Sequence, residues 1–288
     1  MPTTDIHQHL FPEALLDALR RRRHPPRLNG SKLELDGREP IEMNTDAHDV
    51  DARLVLLDRC EIDIALVSLP PSLGIDDLPG EDATELLEAY ERGILEVSLA
   101  TGRRLVPLGA SASADGFAGA CVGAPALMDL DAIAPLLDEL ERRGALLFVH
   151  PGSAASPPGA PEWWSPVVLQ TAQMQAAYGA WLAEGAERWP TLTVVFALLA
   201  GGGPFQLERL RSRGVGGREA LLESVYFETS SYGRRALELC LATFGVGQLL
   251  FGSDAPAFDP ASALDAVRGF GDAVVDALCN QNPSRLLP

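Results

Sequence analysis

The chain has 288 residues, 47% of them hydrophobic, with 27 Gly and 22 Pro. That is enough apolar material for a large core built from many short elements, and the length allows one or two domains. A formal net charge of −17 disfavours nucleic-acid and anionic-membrane partners, because an acidic surface repels phosphate.

Short apolar runs of strand type alternate with helical patterns from end to end. Thr4 to Leu10 reads as a strand, and Pro12 to Arg23 as a helix with Leu15, Leu16 and Leu19 on one face. Ser31 to Met43 alternates around Asp36-Gly37, which predicts a β-hairpin; with its flanks it is an insertion over about residues 28–45. Asp49 to Cys60 is helical, Ile62 to Pro70 a buried strand, Glu81 to Thr101 a long helix and Arg104 to Ala110 a strand. Phe117 to Ala124 is a glycine-rich strand, and Asp131 to Arg143 a helix stopped by Gly144. Ala145 to His150 is a strongly apolar strand, and a loop from Ser153 to Pro161 leads to Trp163 and Trp164. Pro166 to Trp189 is helical, Thr191 to Leu199 a strand, and Gly201-Gly202-Gly203-Pro204 breaks it. A helix at Gln206 to Arg213, a strand at Val225 to Ser230 and a helix at Arg234 to Phe244 follow. Leu249 to Ser253 is the last strand, and helices at Pro260 to Gly269 and Asp272 to Cys279 finish the chain.

About eight strands separated by helices imply a parallel sheet. Eight such units in one domain length favour a closed (β/α)8 barrel, a single domain over residues 1–288, over an open sheet. Cys60, Cys121, Cys240 and Cys279 are too widely spaced for a zinc knuckle or a disulfide framework, so four buried thiols in a reducing compartment are expected. The N-terminus lacks a basic start and an apolar core, and no apolar run reaches membrane length. The cytoplasm is the expected location.

Residues two apart on a strand point the same way, so His7 and His9 project together, roughly 6.5–7 Å apart at Cβ. Two neutral imidazoles at that spacing suit one divalent ion. An isolated His-x-His is weak support, since solvated or core histidines explain it equally well. His150 and Asp254 strengthen it. Each closes an apolar run at a strand's carboxyl end, where barrel enzymes place catalytic side chains. Three neutral donors and one carboxylate around a common axis make a catalytic metal site with open positions. Asp5 shares the parity of the pair and stands behind it.

The chain resembles the metal-dependent amidohydrolase superfamily, in the branch of aminocarboxymuconate-semialdehyde decarboxylase and related aromatic-acid decarboxylases and hydrolases. The matching pieces are Asp5-Ile6-His7-Gln8-His9, Leu147-Phe148-Val149-His150-Pro151-Gly152, Phe251-Gly252-Ser253-Asp254-Ala255-Pro256 and Asn282-Pro283-Ser284-Arg285-Leu286-Leu287. The resemblance implies a (β/α)8 barrel with one metal ion, usually zinc, with manganese or iron as alternatives. His7, His9, His150 and Asp254 would take its ligand positions. The chain departs from the family at the end of the sixth strand, where members carry a histidine that polarises water or moves a proton. Leu198 stands there.

The expected function is therefore that of a metal-dependent hydrolase or non-oxidative decarboxylase acting on a small carboxylated, cyclic or aromatic molecule. Asp254 would carry the proton, with Glu228, Tyr232 or His48 as other replacements for the absent histidine. The alternatives are a metal-assisted lyase or isomerase, or an inactive barrel that binds a ligand or partner. Trp163, Trp164, Arg23 and Tyr232 are the candidate substrate contacts. A homodimer is one open option for the assembly.

Overall fold

A computed structural model of the chain describes residues 1–110, 115–214 and 223–287. β1 (Thr4–His9) is buried along its whole length. Complete burial marks a strand covered on both sides, as in a parallel sheet wrapped by helices. α1 (Glu13–Arg21) follows, with Leu15, Leu16, Ala18 and Leu19 buried as the leucine spacing predicts.

The insertion is larger than a hairpin. β3 (Lys32–Glu34) and β4 (Ile41–Glu42) pair antiparallel around the expected turn, where Gly37 has φ +63°. A further strand, β2 (Arg27–Asn29), pairs with the other edge of β3. Sequence periodicity missed it because Leu28 is its only apolar residue. The resulting three-stranded meander reaches across the fold. Arg38 donates to the Ala154 carbonyl at 2.8 Å, and Gly37 faces Ala155.

The barrel then proceeds unit by unit. α2 (Val50–Arg59) starts at Asp49, whose side chain accepts from the Ala52 N–H. β5 (Ile64–Ser68), α3 (Gly80–Ala100), β6 (Leu105–Gly109), β7 (Gly119–Gly123), α4 (Leu130–Arg143) and β8 (Leu146–His150) come next. Gly144 ends α4 in the left-handed conformation, as its position predicts. The long helix expected after the tryptophans is divided into α5 (Gln170–Ala180) and α6 (Ala186–Arg188), with π-helical turns at Ser165–Leu169 and Trp181–Gly185. β9 (Val194–Phe196), α7 (Gly203–Ser212), β10 (Val225–Glu228), α8 (Arg234–Phe244), β11 (Leu249–Leu250), α9 (Pro260–Arg268) and α10 (Asp272–Asp276) complete the order.

The parallel sheet runs β1-β5-β6-β7-β8-β9-β10-β11, eight strands. The residues after β11 close it onto β1. Ile6 N–H donates to Phe251 O at 3.0 Å, Asp254 N–H to His7 O at 2.8 Å, and His9 N–H to Ala255 O at 2.7 Å. The architecture is a (β/α)8 barrel, and the closing seam joins the strand that carries the His-x-His pair to the segment that carries Asp254. No helix among the described residues is long and apolar enough to cross a membrane.

Candidate metal centre

Strand alternation turns Asp5, His7 and His9 to one side of β1. His7 and His9 meet His150, the last residue of β8, and Asp254, four residues beyond β11. One donor atom from each of these four residues lies within 4.8 Å of all the others. His7 Nε2 is 3.2 Å from His9 Nε2, which is 3.2 Å from His150 Nε2. Asp254 Oδ1 lies 3.2 Å from His9 Nε2 and 3.6 Å from His7 Nε2. The Phe148 ring stands edge-on to that of His7, with centroids 5.0 Å apart.

The outer hydrogen bonds decide the tautomers. His7 Nδ1–H donates to Glu228 Oε2 at 2.9 Å, His9 Nδ1–H to the Ser68 carbonyl at 3.2 Å, and His150 Nδ1–H to the Pro151 carbonyl at 2.9 Å. All three acceptors lack a proton to give, so each Nδ1 carries one and each Nε2 presents a bare lone pair. Three lone pairs aimed at one another repel unless a cation sits among them. Nitrogens bound tetrahedrally to zinc at about 2.0–2.1 Å stand about 3.3–3.4 Å apart, close to the observed spacing. The donor set fits a divalent metal ion.

The titration behaviour points the same way. Burial opposes a charge on His7, yet the Glu228 and Asp254 carboxylates outweigh it and raise its pKa to about 9. His150 is held well below the usual histidine range by burial and by His9 and His7. Asp254 stays below the usual carboxylate range despite its burial, because the three histidines favour its charge. The cluster calls for positive charge at its centre. A proton on His7 supplies it to one nitrogen, whereas a divalent ion satisfies all three.

Behind the donors stands a buried polar scaffold. Glu228, fully buried at the end of β10, accepts from His7 Nδ1, from Ser230 Oγ at 2.8 Å, from the Ser230 N–H and from the Leu198 N–H at 3.3 Å. Gly252 makes room for it, since a Cβ there would strike the carboxylate. Glu228 thus fixes the ring of His7 from behind and does not face the centre as a proton carrier. Asp5 Oδ1 accepts from the N–H groups of His7 and Ser253 at 3.1 and 3.0 Å, tying β1 to the segment before Asp254. Its Oδ2 accepts from Gln8, whose carbonyl accepts from Arg53 at 2.8 Å. Arg53 went unnoticed in the sequence. The available signal was a charged residue in helical register with buried Leu57 on α2.

Leu198 opens an unusual turn. Leu198, Leu199 and Ala200 have φ of 52°, 49° and 54°, and Gly201 and Gly202 continue at 65° and 102°. A left-handed conformation costs roughly 1–2 kcal/mol for each non-glycine residue, so about 3–6 kcal/mol is stored in this turn. Gly201 needs to be glycine for a second reason: a Cβ would press on the Thr171 carbonyl.

The other sequence candidates fall outside the cluster. His48 Nδ1 accepts from the Phe11 N–H at 3.1 Å and its ring stacks on Phe11 at 4.5 Å. The Tyr232 hydroxyl is engaged with Thr171. Arg23 is exposed beyond the end of α1, and the arginine that reaches the loop after β8 is Arg38. Trp163 is 54% exposed, its ring 5.8 Å from that of Trp164, whose buried Nε1–H has no partner among the described residues.

The amidohydrolase family profile matches residues 4–288. The chain belongs to the amidohydrolase family. Among curated proteins, this amidohydrolase is 22% identical to 2-amino-3-carboxymuconate-6-semialdehyde decarboxylase of Dictyostelium discoideum, over 89% of this chain and 81% of that one. Among solved structures it is similar to Metarhizium anisopliae IDCase, with TM-score 0.83 and 20% identity, covering 99% of this chain and 96% of that one. It is also similar to 5-carboxyvanillate decarboxylase from Novosphingobium aromaticivorans, crystallised with manganese and 4-hydroxy-3-methoxy-5-nitrobenzoic acid. There the TM-score is 0.75 at 17% identity, over 99% of this chain and 95% of that one.

Proposed function

We propose that this amidohydrolase holds one divalent metal ion through His7, His9, His150 and Asp254 and decarboxylates a small carboxylated, cyclic or aromatic acid without an oxidant. The carrying observation is the convergence of three imidazole lone pairs and one carboxylate; Leu198 stands where the family resemblance implies a proton-transfer histidine. Two of the relatives above are decarboxylases by name. Zinc is the first choice on donor chemistry, with manganese and iron as alternatives.

When bound, the ion supplies Lewis-acid stabilisation of negative charge on the substrate. Hydrolysis further requires a group that takes a proton from water; Leu198 has none, so that task too would fall to Asp254, itself a ligand of the ion. Decarboxylation requires one proton delivered to carbon. The bond from the substrate carbon to its carboxylate breaks, CO2 leaves, the electron pair stays on that carbon, and a proton completes it. Asp254 is the carboxyl group at the cluster. Ionised at rest, it takes a proton from solvent or from the arriving acid and passes it to carbon.

Arg38 and Trp164 are the substrate contacts in this reading. Arg38 is half-buried, and no carboxylate among the described residues pairs with it; desolvation lowers its pKa. Ser165 Oγ and Arg38 donate to the same Ala154 carbonyl, which brings Trp164 and its unpartnered N–H into the neighbourhood of that guanidinium. Two donors beside the loop after His150 suit an anionic, aromatic molecule. Trp163 lies at the exposed rim.

The test is Asp254→Asn, assayed by CO2 release from a panel of hydroxybenzoates and carboxylated dienoic acids, with metal content measured alongside. Turnover should fall about 10²–10⁴-fold. Unchanged turnover removes Asp254 as the proton carrier. Cleavage of lactones or amides without loss of CO2 from any acid assigns hydrolysis instead, and wild-type protein that takes up no transition metal on reconstitution overturns the metal centre.

A further inference from the structure

A cavity of ≈ 270 Å³ opens between α2 and the segment that follows Asp254. Arg53, Leu56, Arg59, Pro256, Phe258 and Asp259 line it. Arg53 is its unusual member. It is only 2% exposed, and its hydrogen bonds among the described residues go to neutral oxygens: Gln8 Oε1, the His9 carbonyl at 3.1 Å and the Ala47 carbonyl at 3.0 Å. Among the described residues no carboxylate lies within ion-pair distance of it. The Asp5 carboxylate, reached through Gln8, offsets only part of the cost of this buried cation, and an anion brought beside the guanidinium offsets more of it.

The remaining lining fits such an anion. Arg59 stands at the exposed side of the cavity, 3.6 Å from Asp259. Asp259 is already occupied, since Oδ1 accepts from the Ala261 N–H as the cap of α9. Two arginines against one aspartate leave the cavity net positive in a protein of net charge −17. Leu56, Pro256 and Phe258 supply apolar walls, and Phe258 is 49% exposed. The volume is just below the range of drug-sized pockets, so the occupant is small.

We infer that this cavity is a second binding site, separate from the metal cluster, for a small organic carboxylate: its head group lies on Arg53 and Arg59, its hydrocarbon body against Leu56, Pro256 and Phe258. The apolar walls favour such an acid over inorganic phosphate. Arg53 also holds the backbone of His9, and Pro256 lies two residues past Asp254, so occupancy touches both segments that bring donors to the metal centre.

The experiment uses the metal-loaded full chain. Crystals soaked in 4-bromobenzoate should show anomalous bromine signal in this cavity. Signal only at the His7–His9–His150–Asp254 cluster, or none, overturns the inference, and the first of these outcomes leaves the decarboxylase reading intact. Calorimetric titration with benzoate gives the second readout. Affinity assigned to this site should fall at least about tenfold, the equivalent of 1.4 kcal/mol, in Arg59→Glu and in Ala52→Trp, which fills the cavity. Affinity unchanged in both folded variants, or inorganic phosphate bound as tightly as benzoate, refutes it.

Discussion

Replacing Glu228 with glutamine removes one charge and changes one atom, at the point where the tautomer of His7 is decided. The carboxylate accepts from four donors, three of them on Oε2 and one, the Ser230 N–H, on Oε1. A glutamine therefore keeps its oxygen toward His7 and turns its NH2 group toward the Ser230 N–H, leaving one donor facing another in a site with no water access. That loss, with the conversion of a charged acceptor to a neutral one, costs about 1–3 kcal/mol of folding stability. The larger effect falls on the metal. Partners that orient a ligating histidine contribute about 10–100-fold in metal affinity, and the variant should lose affinity in that range. Chelator competition measures the affinity, and denaturant unfolding of the metal-free protein measures the stability. Metal affinity within about threefold of wild type would show that Glu228 does not set the orientation of His7, and the tautomer argument for the centre would fall with it.

Other consequences are equally open to measurement. Gly252→Ala drives a methyl group into the Glu228 carboxylate and should destabilise by about 1–3 kcal/mol; an unchanged unfolding midpoint contradicts the packing. Ala200→Gly should stabilise by up to about 1 kcal/mol, because glycine relieves the left-handed backbone at φ 54°; a loss of more than about 1 kcal/mol shows the turn is not strained. His48, buried beside Arg53 and His9, has its pKa lowered to about 3, below the 6.5 of an unfolded histidine. The unfolded chain then binds the extra proton, so this contribution is complete above pH 6.5 and is lost as pH falls toward 3, by up to about 1.4 kcal/mol per unit. His48→Gln keeps an acceptor for the Phe11 N–H and should flatten that acid limb in a pH series of unfolding curves; an identical slope refutes the assignment.

The barrel and the donors at its end were legible in the sequence because both rest on short-range regularities. Alternation along Asp5-Ile6-His7-Gln8-His9 places two imidazoles on one side of a strand wherever that strand lies. His150 at the end of an apolar run needs only the same rule. The meander escaped in part, since three residues with one apolar side chain carry no period. The rest belongs to the tertiary structure. Asp254 reaches the histidines through a left-handed backbone, φ 61°, on a segment that closes the barrel against His7. Glu228 stands 221 residues from the histidine it orients, and sequence alone had offered it as a proton carrier facing the centre. Which arginine bonds the loop after β8 depends on how the meander folds over that loop, and it is Arg38 that donates to the Ala154 carbonyl. Local pattern decides which way a side chain leaves its strand. Only barrel closure, which brings together residues at opposite ends of the chain, decides what that side chain meets.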